Sequence, residues 1–388
     1  MSETAVTWQN TVAPAGADRL SYLDNLRTSL TVLVICHHVN AAYGSIGGWS
    51  YIVHESGGVV SELLATMFAG VTQAFFMSSF FLISAYFSAP SYDFKGPWPF
   101  ARRRLVRLGI PLLAYFYVLS VLLHFLISHF RGRTQYGFID YFSTHFLHDT
   151  DPGPLWFACA LLVFEGVYLI IRLTGHVLGR EPRRYALPSD RQVLMFVVGV
   201  GVFTFFWRQY QPLTRGFYHM RLGFFPLYVC MFTIGILAYR SGWFTQLTAK
   251  QANRWFYVAL AGIALMPPIL MVNAWLGHDP YEFWGGWTWQ CYAYSAWEPF
   301  LCVGINMKLL VLFRDRFNFS TPFTKRMARS SFTAYILHAF FIVVPTYLFT
   351  YFSLGRIPEI LLMWPVAVIP CFLFADLIRR APLLNRVL

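Results

Sequence analysis

The chain has 388 residues, of which 57% are hydrophobic and 12% are charged, and its net charge is +12. Soluble domains carry about 25% charged residues, so this composition excludes a soluble globular protein. The basic residues fall in short gaps between apolar runs rather than in one patch, which indicates membrane topology and not nucleic-acid binding. The sequence therefore predicts an all-α membrane protein that contacts the lipid bilayer and no nucleic acid.

The cysteines and the N-terminus carry no sign of a disulfide framework or of a signal peptide. Six cysteines lie singly within apolar stretches, without a CxxC pair. They are typical of buried thiols, and we expect no metal site. The first 20 residues are polar and lack an apolar signal core, so we expect the first span to act as the insertion signal and to be retained.

Ten apolar runs have roughly the 20 residues that cross a bilayer. The predicted spans are 26–43, 73–90, 105–129, 154–172, 192–210, 224–240, 255–276, 289–312, 331–354 and 358–378. The stretch 59–72 is also apolar but contains Glu62, and we expect an interfacial or re-entrant helix there. One transmembrane domain, 21–380, would lie between tails at 1–20 and 381–388.

The distribution of arginine and lysine predicts the orientation of these spans. Cytoplasmic loops carry an excess of both residues. An even number of spans with both termini inside leaves few basic residues on the opposite side. Those residues are Arg131, Arg133, Arg208, Arg215, Arg221 and Arg356. We therefore expect about ten transmembrane helices with both termini in the cytoplasm.

The first span carries two polar residues on one face. Arg27 and His38 are eleven positions apart, which is about 20° around a helix and about 16 Å along it. Charges within a span are costly and typically functional, and a neutral imidazole can act as a general base. A snorkelling arginine and a histidine satisfied by a neighbouring helix would fit the same spacing. His37 points elsewhere, and we expect it to be structural.

A run of arginines precedes the third span. Arg104 and Arg107, which follow Arg102 and Arg103, are three positions apart and share a helix face. They could hold phosphate groups through charge-assisted hydrogen bonds. A simple positive-inside anchor would have the same composition.

Three further polar residues fall within predicted spans. Glu298 stands in a Trp-Glu-Pro sequence that should open its helix, and such a break is tolerated only beside protein or a cavity. Glu298 and His338 therefore either line a site or are satisfied within the bundle. We expect Glu165 to be the structural partner of an arginine or a hydroxyl group.

An outer loop concentrates aromatic residues near carboxylates. Trp284 and Trp287 lie close to Glu282 in the sequence. This combination suits stacking on sugar rings, although an interfacial aromatic belt has the same composition.

Several motifs together resemble the acyltransferase 3 family of integral membrane acyltransferases. They are Tyr22-Leu23-Asp24-Asn25-Leu26-Arg27 with His38, the segment Phe80 to Phe87, Arg104-x-x-Arg107 before Pro111, Pro154-Leu155-Trp156-Phe157, and Ser331 to His338. They occur in the family's order over nearly the whole chain. The segments 73–76 and 84–88 are most similar to the glucan-modifying branch. Ala85 stands where the family usually has glycine.

The resemblance implies O-acyl transfer from cytoplasmic acyl-CoA, either acetyl-CoA or succinyl-CoA, to a hydroxyl of an extracytoplasmic polysaccharide or oligosaccharide. No permanently bound cofactor is implied. The implied catalytic residues are His38, as the general base or a transient acyl carrier, and Arg27, which would guide the donor or its carbonyl into the bundle. The implied donor-binding residues are Arg103, Arg104, Arg107 and Ser84, the implied site-lining residues are Glu298, His338, Trp156 and Asp24, and the implied glycan-binding residues are Trp284, Trp287 and Glu282.

The implied location is the bacterial cytoplasmic (inner) membrane, where components of a polysaccharide synthase are candidate partners. Two other functions remain open. A transporter or flippase for a lipid-linked sugar would predict internal repeats, which the sequence does not display. A non-catalytic subunit of a polysaccharide synthase would need no catalytic histidine.

Overall fold

The computed structural model describes residues 20–45, 49, 51–53, 58–179, 182–217, 220–352, 354–381 and 384. Within these residues the regular structure is helical, apart from one isolated β-bridge between Phe217 and Met220. In chain order the α-helices are α1 (Ser21–Ala42), α2 (Val59–Lys95), α3 (Pro97–Arg104), α4 (Ile110–Ala114), α5 (Ser120–Phe130), α6 (Phe138–His145), α7 (Trp156–Val177), α8 (Asp190–Tyr210), α9 (Phe225–Ser241), α10 (Trp243–Gln246), α11 (Ala249–Trp275), α12 (Trp289–Arg316), α13 (Pro322–Phe349) and α14 (Arg356–Arg379). The predicted all-α class is confirmed. Nearly all of the predicted tails, 1–20 and 381–388, lies outside the described residues.

The long helices match the predicted spans. Two π-helical turns join α3, α4 and α5 into one continuous helix, Pro97–Phe130. In the described part of the chain, nine helical segments are long and apolar enough to cross a membrane, and they coincide with the second to tenth predicted spans. The first predicted span is α1, which has 22 residues and a length of about 33 Å but is too polar for that set. The protein is thus a polytopic membrane helix bundle.

The polar helix α1 lies inside the bundle. It contacts α2, α12, α13 and α14, and its buried residues include Asp24, Thr31 and Asn40. Hydrocarbon would leave these polar groups without partners, whereas neighbouring helices can hydrogen-bond them. The position of α1 therefore explains how a helix of low apolarity belongs to a membrane bundle.

The stretch 59–72 is not a separate helix. It forms the first turns of α2, which continues without a break to Lys95 and measures about 55 Å. Of the two alternatives predicted for this stretch, the re-entrant helix is wrong, because the chain does not turn back between residues 59 and 95. Glu62, which suggested an interface, pairs with the buried Arg356 at the start of α14. This pair ties the extension of α2 to the bundle.

Several helices begin outside the predicted spans because hydropathy detects only the part in hydrocarbon. The helix α13 begins at Pro322, ahead of the predicted start at 331, and Thr321 forms a capping box with Thr324. Its first turns carry Lys325 and Arg326, which suit the interface rather than the bilayer core. The sequence therefore locates the spans better than the helix ends.

Small residues allow the closest helix contacts. A Cβ atom on Gly235 of α9 would overlap the carbonyl oxygen of Leu82 on α2. Gly304 of α12 meets the backbone of Trp255 on α11 in the same way. Close backbone approach at small residues is a general way to join membrane helices. These contacts fix the positions of α2 and α12, which both border the cavities described below.

Candidate active site

A cavity of about 150 Å³ lies within the bundle, and its lining includes Trp156 at the start of α7 and Trp284 of the loop 276–288. It is bounded by α1, α2, α9 and α12 and by residues of the connecting loops. Its principal lining residues are His37, His38, Gln73, Trp156, Arg221, Tyr228, Trp284 and Tyr294. The cavity therefore combines two imidazoles, one guanidinium and several aromatic rings. Its aromatic walls and convergent polar groups are typical of a small-molecule site.

A hydrogen-bonded chain orients His38. The Nδ1 atom of His338 lies 2.7 Å from the carbonyl oxygen of Tyr335, and its Nε2 atom lies 2.9 Å from Nδ1 of His38. A carbonyl oxygen can only accept, so Nδ1 of His338 carries the proton and donates it. A neutral His338 then accepts at Nε2 from the Nδ1–H of His38. This assignment leaves Nε2 of His38 as the nitrogen with a free lone pair.

The ring of His38 is also held by stacking. The Trp49 ring stacks on it, with centroids 4.1 Å apart and an angle of 25° between the ring planes. The hydrogen-bond partner His338 belongs to another helix, α13. Packing on the ring face and a hydrogen bond at Nδ1 restrict rotation of the imidazole. An oriented neutral imidazole whose unprotonated nitrogen is accessible is the form that a general base requires.

His37 lies at the same cavity, a location that the sequence analysis missed. Its Nδ1 atom is 2.7 Å from Oγ1 of Thr72, and this hydroxyl donates to the carbonyl oxygen of Phe68. The hydroxyl oxygen therefore accepts from Nδ1–H of His37. Adjacent residues of a helix point about 100° apart, but the cavity is wide enough to contact both. The sequence feature that could have indicated this location is Thr72, a hydroxyl-bearing residue within the apolar helix that follows α1.

Arg27 lies at a different level of α1 from His38. Its guanidinium pairs with Asp24 at 2.9 Å, one turn earlier, and the cavity lining does not include it. Arg107 lies within electrostatic range of both Arg27 and Asp24. The structure thus brings Asp24, Arg27 and Arg107 together, about 16 Å along α1 from His38.

Arg104 is engaged inside the bundle. It donates to Oγ of Ser88 at 2.8 Å and pairs with the buried Glu165 at 3.3 Å. Glu165 also accepts from Ser88, so its predicted partnership with an arginine or a hydroxyl is confirmed. Arg103 is exposed, whereas Arg104 is half-buried. Ser84 lies one turn from Ser88 and accepts from it through its carbonyl oxygen.

One carboxylate oxygen of Glu298 has its partner within the bundle. Its carboxylate pairs with the fully buried Arg208 of α8, which also donates to Oγ of Ser295 at 3.0 Å. The aromatic ring of Tyr294 lies 4.9 Å from the same guanidinium and lines the cavity. Glu298 is not among the residues that line the cavity, and it lies behind the wall residue Tyr294, next to the same guanidinium of Arg208. The sequence analysis placed Arg208 among the basic residues of the outer side and did not predict its burial.

The predicted glycan-binding residues of the loop before α12 lie in different places. Trp284 lines the cavity with Arg221 above its ring at 4.8 Å. Burial lowers the pKa of the Arg221 guanidinium from its ordinary value, although Tyr294 acts in the opposite direction. Trp287 instead is exposed and contacts Phe205 on α8, and Glu282 accepts from Gln290 at 2.6 Å. The structure therefore brings Trp284, but not these two, to the histidine cavity.

The pair between Arg208 and Glu298 yields a stability prediction. Arg208→Met should lower the free energy of unfolding by about 3–5 kcal/mol, because it leaves a buried carboxylate without a partner. The double variant with Glu298→Gln should recover much of that loss. Thermal unfolding in one detergent measures both. Arg254→Met is the matched control, because it breaks an exposed pair with Asp190 that is expected to contribute about 0–1 kcal/mol. Equal losses in the two arginine variants would contradict the prediction.

Comparison with known proteins agrees with this architecture. The acyltransferase domain of the family Acyl_transf_3 matches residues 20–378. The chain is 30% identical over 125 residues to glucans biosynthesis protein C of Escherichia coli strain K12, which is 31% of this chain and 30% of that protein. The same identity and coverage apply to the glucans biosynthesis protein C of Shigella dysenteriae serotype 1. The alignment thus spans under a third of these relatives, and no solved structure matches. Because the family domain covers nearly the whole chain, the protein belongs to the acyltransferase 3 family of membrane acyltransferases.

Proposed function

We propose that the protein moves an acyl group, acetyl or succinyl, from cytoplasmic acyl-CoA to a hydroxyl of an extracytoplasmic glycan, with His38 as the general base. The hydrogen-bonded chain from Tyr335 through His338 to His38 carries this proposal, because it leaves the Nε2 lone pair of His38 available at the cavity. The name of the relatives, glucans biosynthesis protein C, supports a glucan as the acceptor.

The reaction needs one base and one leaving thiolate. Nε2 of His38 takes the proton of the acceptor hydroxyl as the oxygen attacks the thioester carbonyl carbon. Collapse of the tetrahedral intermediate breaks the carbon–sulfur bond, and the imidazolium returns the proton to the thiolate of coenzyme A. His338 accepts the Nδ1–H of His38 throughout and stabilises the imidazolium. A variant of this route places the acyl group transiently on His38 before the hydroxyl attacks.

The two levels of α1 suit the two substrates. In this proposal both termini are cytoplasmic, so Arg27 and Asp24 face the donor side, and His38 lies toward the acceptor side. Trp156 and Trp284 at the cavity supply faces for a sugar ring, and Arg221 and Gln73 supply hydrogen-bond donors. Arg103 and Arg107 are exposed on the same side as Arg27 in this proposal, and they suit the phosphates of coenzyme A. Arg104 contributes mainly by holding Glu165 and Ser88.

His38→Gln should lower kcat by roughly 10²–10⁴-fold, because glutamine cannot take up a proton. Transfer of radiolabelled acyl groups to glycan in proteoliposomes measures the rate, and the thermal midpoint reports folding. His176→Gln, an exposed histidine of α7, is the control and should retain full activity. A His38→Gln protein that is folded and fully active would refute the assignment of the base. Glycan movement without any need for acyl-CoA would favour transport instead.

His338 is a positioning residue in this scheme, and two substitutions separate its role from simple packing. His338→Gln retains an acceptor for the Nδ1–H of His38, whereas His338→Phe removes it. We expect His338→Phe to lower kcat by about 10²-fold or more with little change in either KM, and His338→Gln to recover part of the loss. Steady-state kinetics on both substrates measures this split. Equal activity of the two variants would show that the hydrogen bond does not orient the base.

The donor assignment predicts a change in KM. Arg103→Gln combined with Arg107→Gln should raise KM for acyl-CoA about tenfold or more, because two charge-assisted contacts to phosphate are lost, and should leave KM for the glycan unchanged. Arg102→Gln is the control, since it removes a neighbouring exposed arginine of the same run. If the double variant and the control have the same donor KM, these arginines serve topology alone.

A further inference from the structure

A second cavity, of about 530 Å³, lies among α8, α9, α11 and α12. None of the residues around it lines the histidine cavity. Its walls are mainly apolar, and they include Val193, Phe196, Ile234, Val303, Met307 and Leu310. It extends along α9 from Val229 to Ala238, which is about 14 Å of helix. The cavity is therefore elongated. The proposed acyl transfer at His38 and the proposed binding of coenzyme A do not involve it.

Polar groups in its walls are directed to other protein atoms. The side-chain amide of Asn306 donates to the carbonyl oxygen of Cys302 at 2.8 Å, and its oxygen accepts from Ser79 at 2.7 Å. The amide of Gln251 donates to the carbonyl oxygen of Pro188 at 2.9 Å. Thr233 donates to its own helix. An occupant of this cavity consequently gains apolar contact rather than hydrogen bonds.

Water is a poor occupant of such a space. The polar groups of its walls that are named above already have protein partners, so water would find few hydrogen-bond partners there, whereas apolar cavities bind apolar molecules. Val229, one of its wall residues on α9, has about half of its surface exposed. In a transmembrane helix that surface faces lipid hydrocarbon. A lipid acyl chain can therefore reach the cavity from the bilayer.

The end of the cavity near α10 is lined by the segment 182–189, which forms its roof and adjoins basic residues in the chain. Tyr185 donates its backbone N–H to Oγ of Ser241 at 3.0 Å, and its carbonyl oxygen accepts from the indole of Trp243 at 3.0 Å. Exposed cations stand within two positions in the chain of the wall residues Tyr185, Gln192 and Gln251: Arg183, Arg184, Arg191 and Lys250. Under the predicted orientation they lie at the inner leaflet. A cluster of this kind attracts anionic lipid head groups.

We propose that this cavity binds one acyl chain of an anionic phospholipid of the inner leaflet, with the phosphate beside the cations of the roof. The apolar walls select the chain, and the basic rim selects the head group. The bound chain fills the space between α8 and α9 and supports the roof formed by residues 182–189. This proposal does not depend on the acyl-transfer chemistry at His38.

Native mass spectrometry of the delipidated full-length protein tests the proposal. Phosphatidylglycerol and phosphatidylcholine with identical chains are titrated in parallel. We expect one tightly retained phosphatidylglycerol, bound at least thirtyfold more tightly than phosphatidylcholine. Arg184→Gln with Lys250→Gln should weaken phosphatidylglycerol by roughly thirtyfold and leave phosphatidylcholine unchanged. Equal affinities for the two lipids in the unmodified protein would overturn the proposal.

Filling the cavity gives an independent test. Val303→Trp should abolish retention of the lipid, whereas Leu194→Trp, which adds the same ring to the exposed surface of α8, should not. Unchanged retention in Val303→Trp would place the lipid elsewhere. If Val303→Trp does not fold, phosphatidylglycerol brominated on its acyl chain replaces this test. The brominated lipid should quench the fluorescence of Trp243, so the quenching should be smaller in Trp243→Phe than in the unmodified protein. Equal quenching in the two proteins would refute the site. If palmitoyl-CoA displaces the bound lipid at a lower concentration than phosphatidylglycerol does, the cavity is an acyl-donor site and the proposal is wrong.

Discussion

The fold depends on covering α1, a helix whose polar side chains could not face lipid. Its polar groups are matched by partners on the elements around it. Asn40 donates to the carbonyl oxygen of Ala65 on α2 at 2.9 Å, Thr28 lies 3.1 Å from the hydroxyl of Ser331 on α13, and Asn25 donates to the backbone after α12. Interhelical hydrogen bonds in membranes contribute only about 0.6–2 kcal/mol each. Their joint effect is to fix the rotation and depth of α1.

That constraint is also what makes a catalytic histidine feasible. A lipid-facing imidazole at the depth of His38 would have no partner and no stable orientation. Within the bundle, His338 holds its Nδ1 and Trp49 covers its ring. The four helices that contact α1 and shield its polar groups from lipid thus also form the site around His38. Stability and function share one interaction network here, so substitutions in α1 are expected to affect both.

Much of this arrangement follows from the sequence, because hydropathy and helical spacing are local properties. Ten apolar runs located the spans, and Glu165 was assigned correctly because a buried carboxylate requires a cation or a hydroxyl. The shared face of Arg27 and His38 follows from helix geometry alone. The pairing of His38 with His338, 300 residues away in the chain, does not, since spacing within one helix says nothing about which helix lies opposite. The burial of Arg208 was missed for the same reason.

In the proposed reaction, the distance between the two levels of α1 places a demand on the substrates. If the phosphates of coenzyme A remain near Arg27 and Arg107, the thioester must reach His38, about 16 Å further along the helix. The pantetheine arm is the extended part of the donor and is the group that can cross this distance. The acceptor then needs to enter only the cavity beside Trp156 and Trp284, and it never passes through the bundle. A single fixed bundle could in this way bring together substrates from opposite sides of a membrane, with the reacting carbonyl rather than the whole donor crossing to the acceptor.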